Sequence, residues 1–248
     1  MSSLEGDPAG GIAVALPRGA GGVDLPRVAG GVAVELPRED PDPGDLRRSS
    51  RFVTFEGGEG AGKSSQMAGV AGRLRGLGVE VVTTREPGGC QMAERIRELV
   101  VGGGPGAFDP RAEWLLMLAA RIEHLRAVIR PALARGSWVL CDRFSGSTVA
   151  YQGYGRGLDL AWMGEVHRFV QEGLEPDRVI LLDVDPEVGL GRALGANRFE
   201  RESSGFHRRV RAGFLAMAGA DPERWRVVDA HADKAVVAEA VWRAVVMS

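Results

Sequence analysis

The stretch RFVTFEGGEGAGKSS, Arg51 to Ser65, decides the fold of this chain. Its first half, Phe52–Phe55, is rich in residues that favour β-strands, and its second half has two spaced glycines followed by Lys63 and Ser64. Apolar residues at helix-compatible positions follow between Met67 and Leu77. A phosphate-binding loop requires a strand before it and a helix after it. A flexible turn in a chain with 36 glycines is the alternative, and the flanking strand and helix argue against it.

The loop itself predicts a nucleoside triphosphate as ligand. Glycines allow the backbone to curl so that successive N–H groups face a phosphate, a lysine reaches the outer phosphates, and a serine hydroxyl can ligate Mg²⁺. The predicted phosphate-binding residues are Gly57, Gly58, Glu59, Gly60, Ala61, Gly62, Lys63 and Ser64.

Short apolar strands alternate with helical stretches from Arg51 onward. This alternation predicts an α/β fold with a parallel sheet, and the Val, Leu and Ile content of the strands predicts helices on both faces. Helices are predicted near 64–77, 90–100, 111–134, 159–172, 186–194, 199–219 and 232–246. The five predicted strands are Phe52–Phe55, Val79–Thr83, Trp138–Cys141, Val179–Val184 and Arg226–Val228.

Residues 1–49 differ in composition from residues 50–248. They contain Gly-Gly pairs, several prolines, no aromatic residue and three Leu-Pro-Arg triplets, which end at Arg18, Arg27 and Arg38. Gly and Pro at this density oppose a packed core, and the spacing of the triplets is too short for a solenoid. We therefore predict a disordered extension followed by one domain. The extension is either without function or a tail that binds a partner.

Charge and cysteine content restrict the class of protein. The formal net charge is −2 and 44% of the residues are hydrophobic, which predicts a soluble globular protein whose main partner is neither nucleic acid nor an anionic membrane. The two cysteines, Cys90 and Cys141, are too few for a disulfide framework and indicate a reducing cytoplasm. No apolar segment approaches the roughly 20 residues that span a bilayer. The histidines show no metal-ligand spacing and are predicted on the surface: His124, His167, His207 and His231.

Polar residues follow the second and third predicted strands, where ligand-binding loops of open α/β sheets gather. Asp142 and Arg143 end the third strand. An Asp at this place in a phosphate-loop enzyme commonly helps to hold Mg²⁺, and an adjacent Arg can bind a substrate phosphate with two hydrogen bonds. TREPGG, Thr84 to Gly89, follows the second strand. The alternatives are a strand-end ion pair and an ordinary turn with a surface ion pair.

Several longer stretches resemble the thymidylate kinase family, which phosphorylates dTMP to dTDP with ATP. They occur in the family's order between Arg51 and Ala230: FEGGEGAGKSSQ, TREPGG, AAR, IRPALARG, DRF followed by STVAYQGYGRG, LLDVDPEVGL and RFE. TREPGG and AYQGYGRG are the most specific, since neither is generic to nucleotide binding. The resemblance implies a three-layer P-loop NTPase fold, with a central parallel five-stranded sheet flanked by helices and a short lid. It also implies an ATP- and Mg²⁺-dependent kinase.

The resemblance implies roles for individual residues on the acceptor side. Arg121 and Arg143 would bind the dTMP phosphate, and Glu59 would lie near the sugar and phosphate of the acceptor. Thymidine specificity would come from this second pocket. Its other implied contacts are Met117, where the family has a Phe that stacks on thymine, Thr148, Tyr151 under the deoxyribose, and Gln152 near the base.

On the donor side, Lys63 and a Mg²⁺ ion held by Ser64 and Asp142 would bridge the ATP phosphates. Family members whose phosphate loop lacks an Arg, as here where Gly60 fills that place, usually bring catalytic arginines from a flexible lid. The corresponding segment, 191–198, is short and has few arginines. The catalytic candidates from this region are Arg192, Arg198 and Arg201, with solvated surface charges as the alternative.

The chemistry of the acceptor agrees with a kinase. The phosphate of a nucleoside monophosphate has a second pKa of about 6, so no strong general base is needed, and catalysis reduces to aligning two phosphates and neutralising charge. A kinase for another nucleoside monophosphate and a catalytically weak nucleotide-binding paralogue remain as alternatives. The family commonly forms homodimers through helices, and the apolar stretch Glu113–Leu133 suits either a dimer face or a helix buried within one chain.

Overall fold

Five parallel strands form the centre of the structure, a computed structural model that describes residues 42–48, 51–102, 104, 106–193 and 197–247. The strand order is β2-β3-β1-β4-β5. After β1 the chain builds one half of the sheet and then the other, so the end of β1 lies at the point where the winding reverses, and this is where open α/β sheets bind ligands. The strands are β1 (Phe52–Glu56), β2 (Val81–Arg85), β3 (Trp138–Asp142), β4 (Arg178–Asp183) and β5 (Trp225–Asp229).

Helices cover both faces of this sheet, as the buried strands require. Val53 and Phe55 of β1 pack with one layer of helices, whereas Phe52 packs with the other. The predicted three-layer α/β fold is therefore confirmed. The helices are α1 (Pro43–Arg48), α2 (Lys63–Gly76), α3 (Gln91–Val101), α4 (Pro110–His124), α5 (Arg130–Ala134), α6 (Ser145–Thr148), α7 (Leu160–Gln171), α8 (Pro186–Arg192), α9 (Ser204–Ala220) and α10 (Lys234–Val246).

Two π-helical segments depart from the predicted elements. Leu125–Ile129 joins α4 to α5 within the single helix predicted over 111–134. It lies directly before Pro131 in α5, and a proline cannot donate the backbone hydrogen bond that a regular helix needs at that point. Val149–Gly155 continues α6, where no helix was predicted. Its glycines favoured a loop in the sequence, yet π-helical turns are frequent at functional sites.

The short helix α1 lies in the segment that was predicted to be disordered. Leu46 of α1 is buried in the core that also contains Trp138, and its carbonyl accepts a 3.0 Å hydrogen bond from the Trp138 indole nitrogen. One apolar side chain and one buried donor thus hold residues 43–48 against the domain. Residues 1–41, 49 and 50, to which the rest of that prediction refers, lie outside the described residues. No helix in the described part of the chain is both long and apolar enough to cross a bilayer.

Candidate active site

The loop between β1 and α2 has the backbone shape that phosphate binding requires. Gly57, Gly60 and Gly62 all have positive φ, at 139°, 65° and 89°, a region that glycine occupies without strain. A side chain at Gly60 would collide with the Gly189 backbone carbonyl of α8. The sequence therefore needs glycine here both for the turn and for the close approach of α8.

Lys63 begins α2 and points back over the loop. Its ammonium group donates to the carbonyl oxygens of Gly57 at 3.1 Å and Gly58 at 2.7 Å. Burial, and then the charge of Arg143, lower the pKa of Lys63 to about 8 despite the carboxylates nearby. A phosphate in the loop would favour the charged form, so the lysine is suited to bind an anion.

Ser64 and Asp142 meet where α2 begins and β3 ends. The Ser64 hydroxyl donates to Asp142 Oδ2 at 2.5 Å. Hydroxyl and carboxylate oxygens are ligands that Mg²⁺ favours, and Mg²⁺ usually takes only one or two protein groups, with water and substrate phosphates completing its shell. The pair, which adjoins Lys63, fits the Mg²⁺ ion that a nucleotide kinase uses. Among the described residues there is no group of three or more His, Cys, Asp or Glu that could hold a metal.

Arg143 connects the loop to a second cleft. Its guanidinium donates to Gly57 O at 2.9 Å, to Ser147 Oγ at 3.1 Å and to Glu59 Oε1 at 3.0 Å. Arg143 also has a positive φ of 70°, a conformation that costs a non-glycine residue free energy and that clusters at functional sites. Burial alone would lower the pKa of Arg143, but the surrounding carboxylates, Glu59 first, outweigh it and raise the pKa.

Glu59 is the acidic partner of this arginine. Its Oε1 also accepts a 2.9 Å hydrogen bond from the Tyr151 hydroxyl. Burial would raise the pKa of Glu59, but the charges of Arg143 and Lys63 prevail and lower it to about 2. Glu59 is therefore a fixed anion at neutral pH that orients Arg143 and Tyr151 and does not serve as a proton acceptor.

A cleft of about 100 Å³ is lined by Arg143 and not by Lys63. All seven residues predicted on the acceptor side line it, although they come from three separate parts of the chain: Glu59, Met117, Arg121, Arg143, Thr148, Tyr151 and Gln152.

Arg97 of α3 also lines the cleft and was missed by the sequence analysis. Its guanidinium donates to Pro87 O at 2.8 Å, which fixes it beside the TREPGG turn. Burial, and the charges of Arg85 and Arg143, lower its pKa. Arg97 and Arg143 both line this cleft, and two cations on one cleft indicate a site for an anion. No sequence signal separated Arg97 from Arg95, the other arginine of α3.

Arg121 lies deeper than the prediction implied. Its side chain is 2% exposed, donates from Nε to Glu86 Oε2 at 2.7 Å and from Nη2 to Thr148 Oγ1 at 2.8 Å. Its Nη1 is buried without a partner among the described residues. A buried donor without a partner is costly, so Nη1 is poised to bind a ligand atom in the cleft.

Glu86 is buried in turn. The alternative for this turn, a surface ion pair, is met by Arg85 and Glu94 at 3.0 Å, whereas Glu86 itself points into the interior. Its Oε1 lies 3.0 Å from His124 Nδ1, and His124 Nε2 lies 2.6 Å from Thr84 Oγ1. A carboxylate only accepts, so His124 donates from Nδ1. A series of hydrogen bonds therefore runs from Thr84 through His124 and Glu86 to Arg121, and it fixes the position of the arginine.

Three histidines correct the prediction that all four lie on the surface. His124, His167 and His207 are 0%, 6% and 4% exposed. His167 accepts a hydrogen bond from the Trp114 indole nitrogen at 3.3 Å, and burial, followed by the charge of Arg121, lowers its pKa to about 3. These three histidines are interior groups, because helices α4, α7 and α9 turn them inward. His231 is exposed, as predicted.

None of the three predicted lid arginines lines the cleft. Arg192 donates from Nη1 to Ala230 O at 2.9 Å. Arg198 is fully buried and donates from Nη1 to Glu113 Oε2 at 2.7 Å and from Nε to Val100 O at 2.9 Å. It anchors the segment that follows residues 194–196, which lie outside the described residues. Arg201 is exposed and does not line the cleft.

Comparison with known proteins places these features in one family. The family model described as thymidylate kinase matches residues 55–241. The thymidylate kinase of Magnetococcus marinus is 51% identical over 199 residues, covering 79% of this chain and 95% of the relative. That of Thermomicrobium roseum is 54% identical over 200 residues, covering 79% and 94%. The crystal structure of thymidylate kinase from Ehrlichia chaffeensis aligns with a TM-score of 0.61 at 36% identity, covering 73% of this chain and 93% of that one.

Proposed function

The chain belongs to the thymidylate kinase family, and we propose that it transfers the γ-phosphoryl group of ATP to dTMP, giving dTDP and ADP. The observation that carries the proposal is the position of Arg143, which binds the phosphate loop through Gly57 O and lines the second cleft. One guanidinium thus faces both the donor and the acceptor. Two relatives of 51% and 54% identity are thymidylate kinases. They do not favour the alternatives, which are a kinase for another monophosphate and a catalytically weak paralogue.

Catalysis in this site is a matter of alignment and charge. The loop amides and Lys63 would hold the β- and γ-phosphates of ATP, while Arg97 and Arg143 hold the acceptor phosphate in line with them. The acceptor phosphate is already anionic at neutral pH, with a second pKa of about 6, so it needs no base to remove a proton. Glu59 keeps Arg143 pointed between the two phosphates, since the two side chains are 3.0 Å apart.

Ser64 and Asp142 would hold Mg²⁺, with Asp142 acting directly or through water. When bound, the ion neutralises charge on the ATP phosphates. The support for this assignment is the oxygen pair at 2.5 Å beside the lysine.

The base would occupy the deep end of the cleft. Arg121, which the sequence analysis placed at the dTMP phosphate, lies at this end with Thr148 and Gln152, and we assign it to the base. Met117 supplies an apolar wall. Tyr151 is held by Glu59 next to Arg143, where it would support the sugar.

Assembly and boundaries are further parts of the proposal. We place the start of the kinase domain near Asp42, because α1 packs on the core.

We propose a homodimer through α4 and α7, which expose large apolar side chains seven residues apart on each helix. Phe169→Asp should convert the dimer to a monomer in sedimentation velocity, and an unchanged mass would reject this face. The exposed apolar residues of this face are Leu115, Ile122, Trp162 and Phe169.

The free thiols of Cys90 and Cys141 support a cytoplasmic location.

A coupled assay of ADP release with purified protein, ATP and Mg²⁺ tests the reaction. The acceptors are dTMP, dUMP, UMP and CMP, each over a concentration series. We expect the highest kcat/KM with dTMP. If dTMP gives no release above background while another monophosphate does, the substrate assignment is wrong. If none of the four acceptors gave ADP release above background, the whole kinase proposal would be rejected.

A further inference from the structure

Gln152 has a side-chain partner that gives its amide a direction. Gln152 is 1% exposed and lines the deep end of the cleft. Its Nε2 donates to Glu113 Oε1 at 2.6 Å. Among the described residues this is the one hydrogen bond of its side chain.

Glu113 is itself held between two guanidinium groups. It is 1% exposed on α4, yet its Oε2 accepts from Arg198 Nη1 at 2.7 Å and from Arg156 Nη2 at 3.3 Å. Arginine is always charged in proteins, and a carboxylate between two guanidinium groups is an acceptor only. Only the NH₂ end of the Gln152 amide can therefore face Glu113.

The opposite end of the amide follows from this constraint. With Nε2 turned toward Glu113, the Gln152 carbonyl oxygen is the end left for a ligand in the cleft. An acceptor at this place complements the N3–H of thymine or uracil. Cytosine has an acceptor at N3, so its N3 lone pair would face the lone pair of the Gln152 carbonyl oxygen. Neither group would then have a hydrogen-bond partner, and an unpaired buried polar group is costly.

We propose that Glu113 is a positioning residue that fixes the Gln152 amide and thereby selects acceptor bases with an N3–H over cytosine. Glu113 does this without touching the base. The inference rests on the proposed function, because it requires the base of the acceptor to occupy the deep end of the cleft.

The first test is Glu113→Gln, measured by kcat and KM with dTMP, dUMP and dCMP. An amide at 113 offers either a donor or an acceptor. The Gln152 amide can therefore exchange the positions of its oxygen and nitrogen ends. We expect the kcat/KM ratio of dTMP to dCMP to fall by about tenfold or more, mainly through KM, because sites that pair buried polar groups discriminate by large factors. The ratio of dTMP to dUMP should stay constant, since both bases carry N3–H. A folded Glu113→Gln enzyme with an unchanged dTMP-to-dCMP ratio would overturn the proposal.

Glu202→Gln is the matched control. Glu202 accepts from the same Arg156 at 2.7 Å, but it does not contact Gln152. The Glu202→Gln variant removes one carboxylate from the same cluster. Its ratio of kcat/KM for dTMP to that for dCMP should remain that of the wild type. A fall equal to that of Glu113→Gln would show a general effect of charge and reject a specific role for Glu113.

The exchange Glu113→Gln with Gln152→Glu separates orientation from folding. It keeps the charge of the cluster and restores one donor–acceptor pair, and a carboxylate at 152 again offers an acceptor to the cleft. We expect it to recover most of the preference for dTMP over dCMP. If the single variant does not fold, a folded exchange variant decides, and loss of preference in it contradicts the proposal.

Gln152→Leu separates this inference from the assignment of the cleft. If Gln152 binds the base, the KM for dTMP should rise at least severalfold while the KM for ATP does not change. An unchanged KM for dTMP would mean that the base lies elsewhere, and the proposed function of the cleft would fail. A raised KM together with no effect of Glu113→Gln would reject the role of Glu113 alone.

Discussion

The donor loop and the acceptor cleft meet at Arg143 but are built from different materials. The loop is one continuous segment whose binding groups are backbone amides, shaped by glycines of positive φ. The cleft is assembled from the loop after β1, the turn after β2, α3, α4 and the segments after β3 and α8, and side-chain ion pairs fix its geometry. Triphosphate tails are alike in every nucleotide, so a local backbone cradle is sufficient for them. A particular base requires donors and acceptors in a fixed arrangement, which only buried pairs provide.

The two regions also differ in how they respond to substitution. A change in the loop should affect the reaction and leave the fold largely intact, whereas a change in the buried pairs of the cleft should affect both. The following experiments test that distinction.

Lys63→Met should have the largest effect. It removes the cation that reaches the ATP phosphates, and we expect kcat to fall by about 10³-fold, the upper range for loss of one electrostatic contact to a transition state. The chain has one other lysine, the exposed Lys234, and Lys234→Met is the matched control with unchanged kcat. A coupled assay measures both. If Lys63→Met kept more than a tenth of the activity, the loop would not be the donor site.

Glu86→Gln should damage the fold as well as the cleft. Glu86 and Arg121 are 5% and 2% exposed and 2.7 Å apart, and breaking a buried pair from one side leaves an uncompensated charge that costs about 3–5 kcal/mol. Urea denaturation should show this loss of the free energy of unfolding, together with a higher KM for dTMP. Glu123→Gln, which removes the α4 partner of the exposed Arg126, should change neither quantity. Equal effects of the two variants would show that the Glu86 pair does not support the cleft.

The pH dependence of ATP binding should report Lys63. Its pKa is about 8 in the free protein, below its ordinary value, and bound phosphates favour the charged form. Below pH 8 the Lys63 ammonium is charged, so the affinity for ATP should not change with pH there. It should fall by up to about tenfold per pH unit above 8. Calorimetry in two buffers should also show proton uptake on binding near pH 8.5. Lys63→Met should remove both effects, and a slope that persists in this variant would assign the titration to another group.

Met117→Phe should have the smallest effect and the opposite sign. A flat ring against the base would add about 0.5–1.5 kcal/mol of stacking, so the KM for dTMP should fall about twofold to tenfold while the KM for ATP stays the same. Steady-state kinetics with each substrate varied in turn distinguishes the two. An unchanged KM for dTMP would mean that Met117 does not lie against the base.

Much of the fold could be predicted because it depends on local patterns. The five predicted strands are confirmed to within two residues at most ends, and α2, α3, α7 and α10 lie close to their predicted bounds. The phosphate loop and the Asp142–Arg143 pair were identified because their chemistry is contiguous along the chain. The segment Val149–Gly155 was not predicted as a helix, because its glycines favour a loop when packing against α9 is unknown.

The amino-acid sequence by itself determined the parallel sheet and the predicted phosphate loop, since each follows from patterns within a few residues. Its longer motifs, through their resemblance to thymidylate kinases, pointed to seven of the residues that line the cleft. Only the tertiary structure decided how each arginine is held. It buried Arg198 against Glu113, placed Arg97 and Arg143 on the lining of one cleft, and turned His124 and Glu86 inward next to Arg121. Guanidinium groups look alike in a sequence, and their roles depend on which carboxylate from a distant element neutralises each of them.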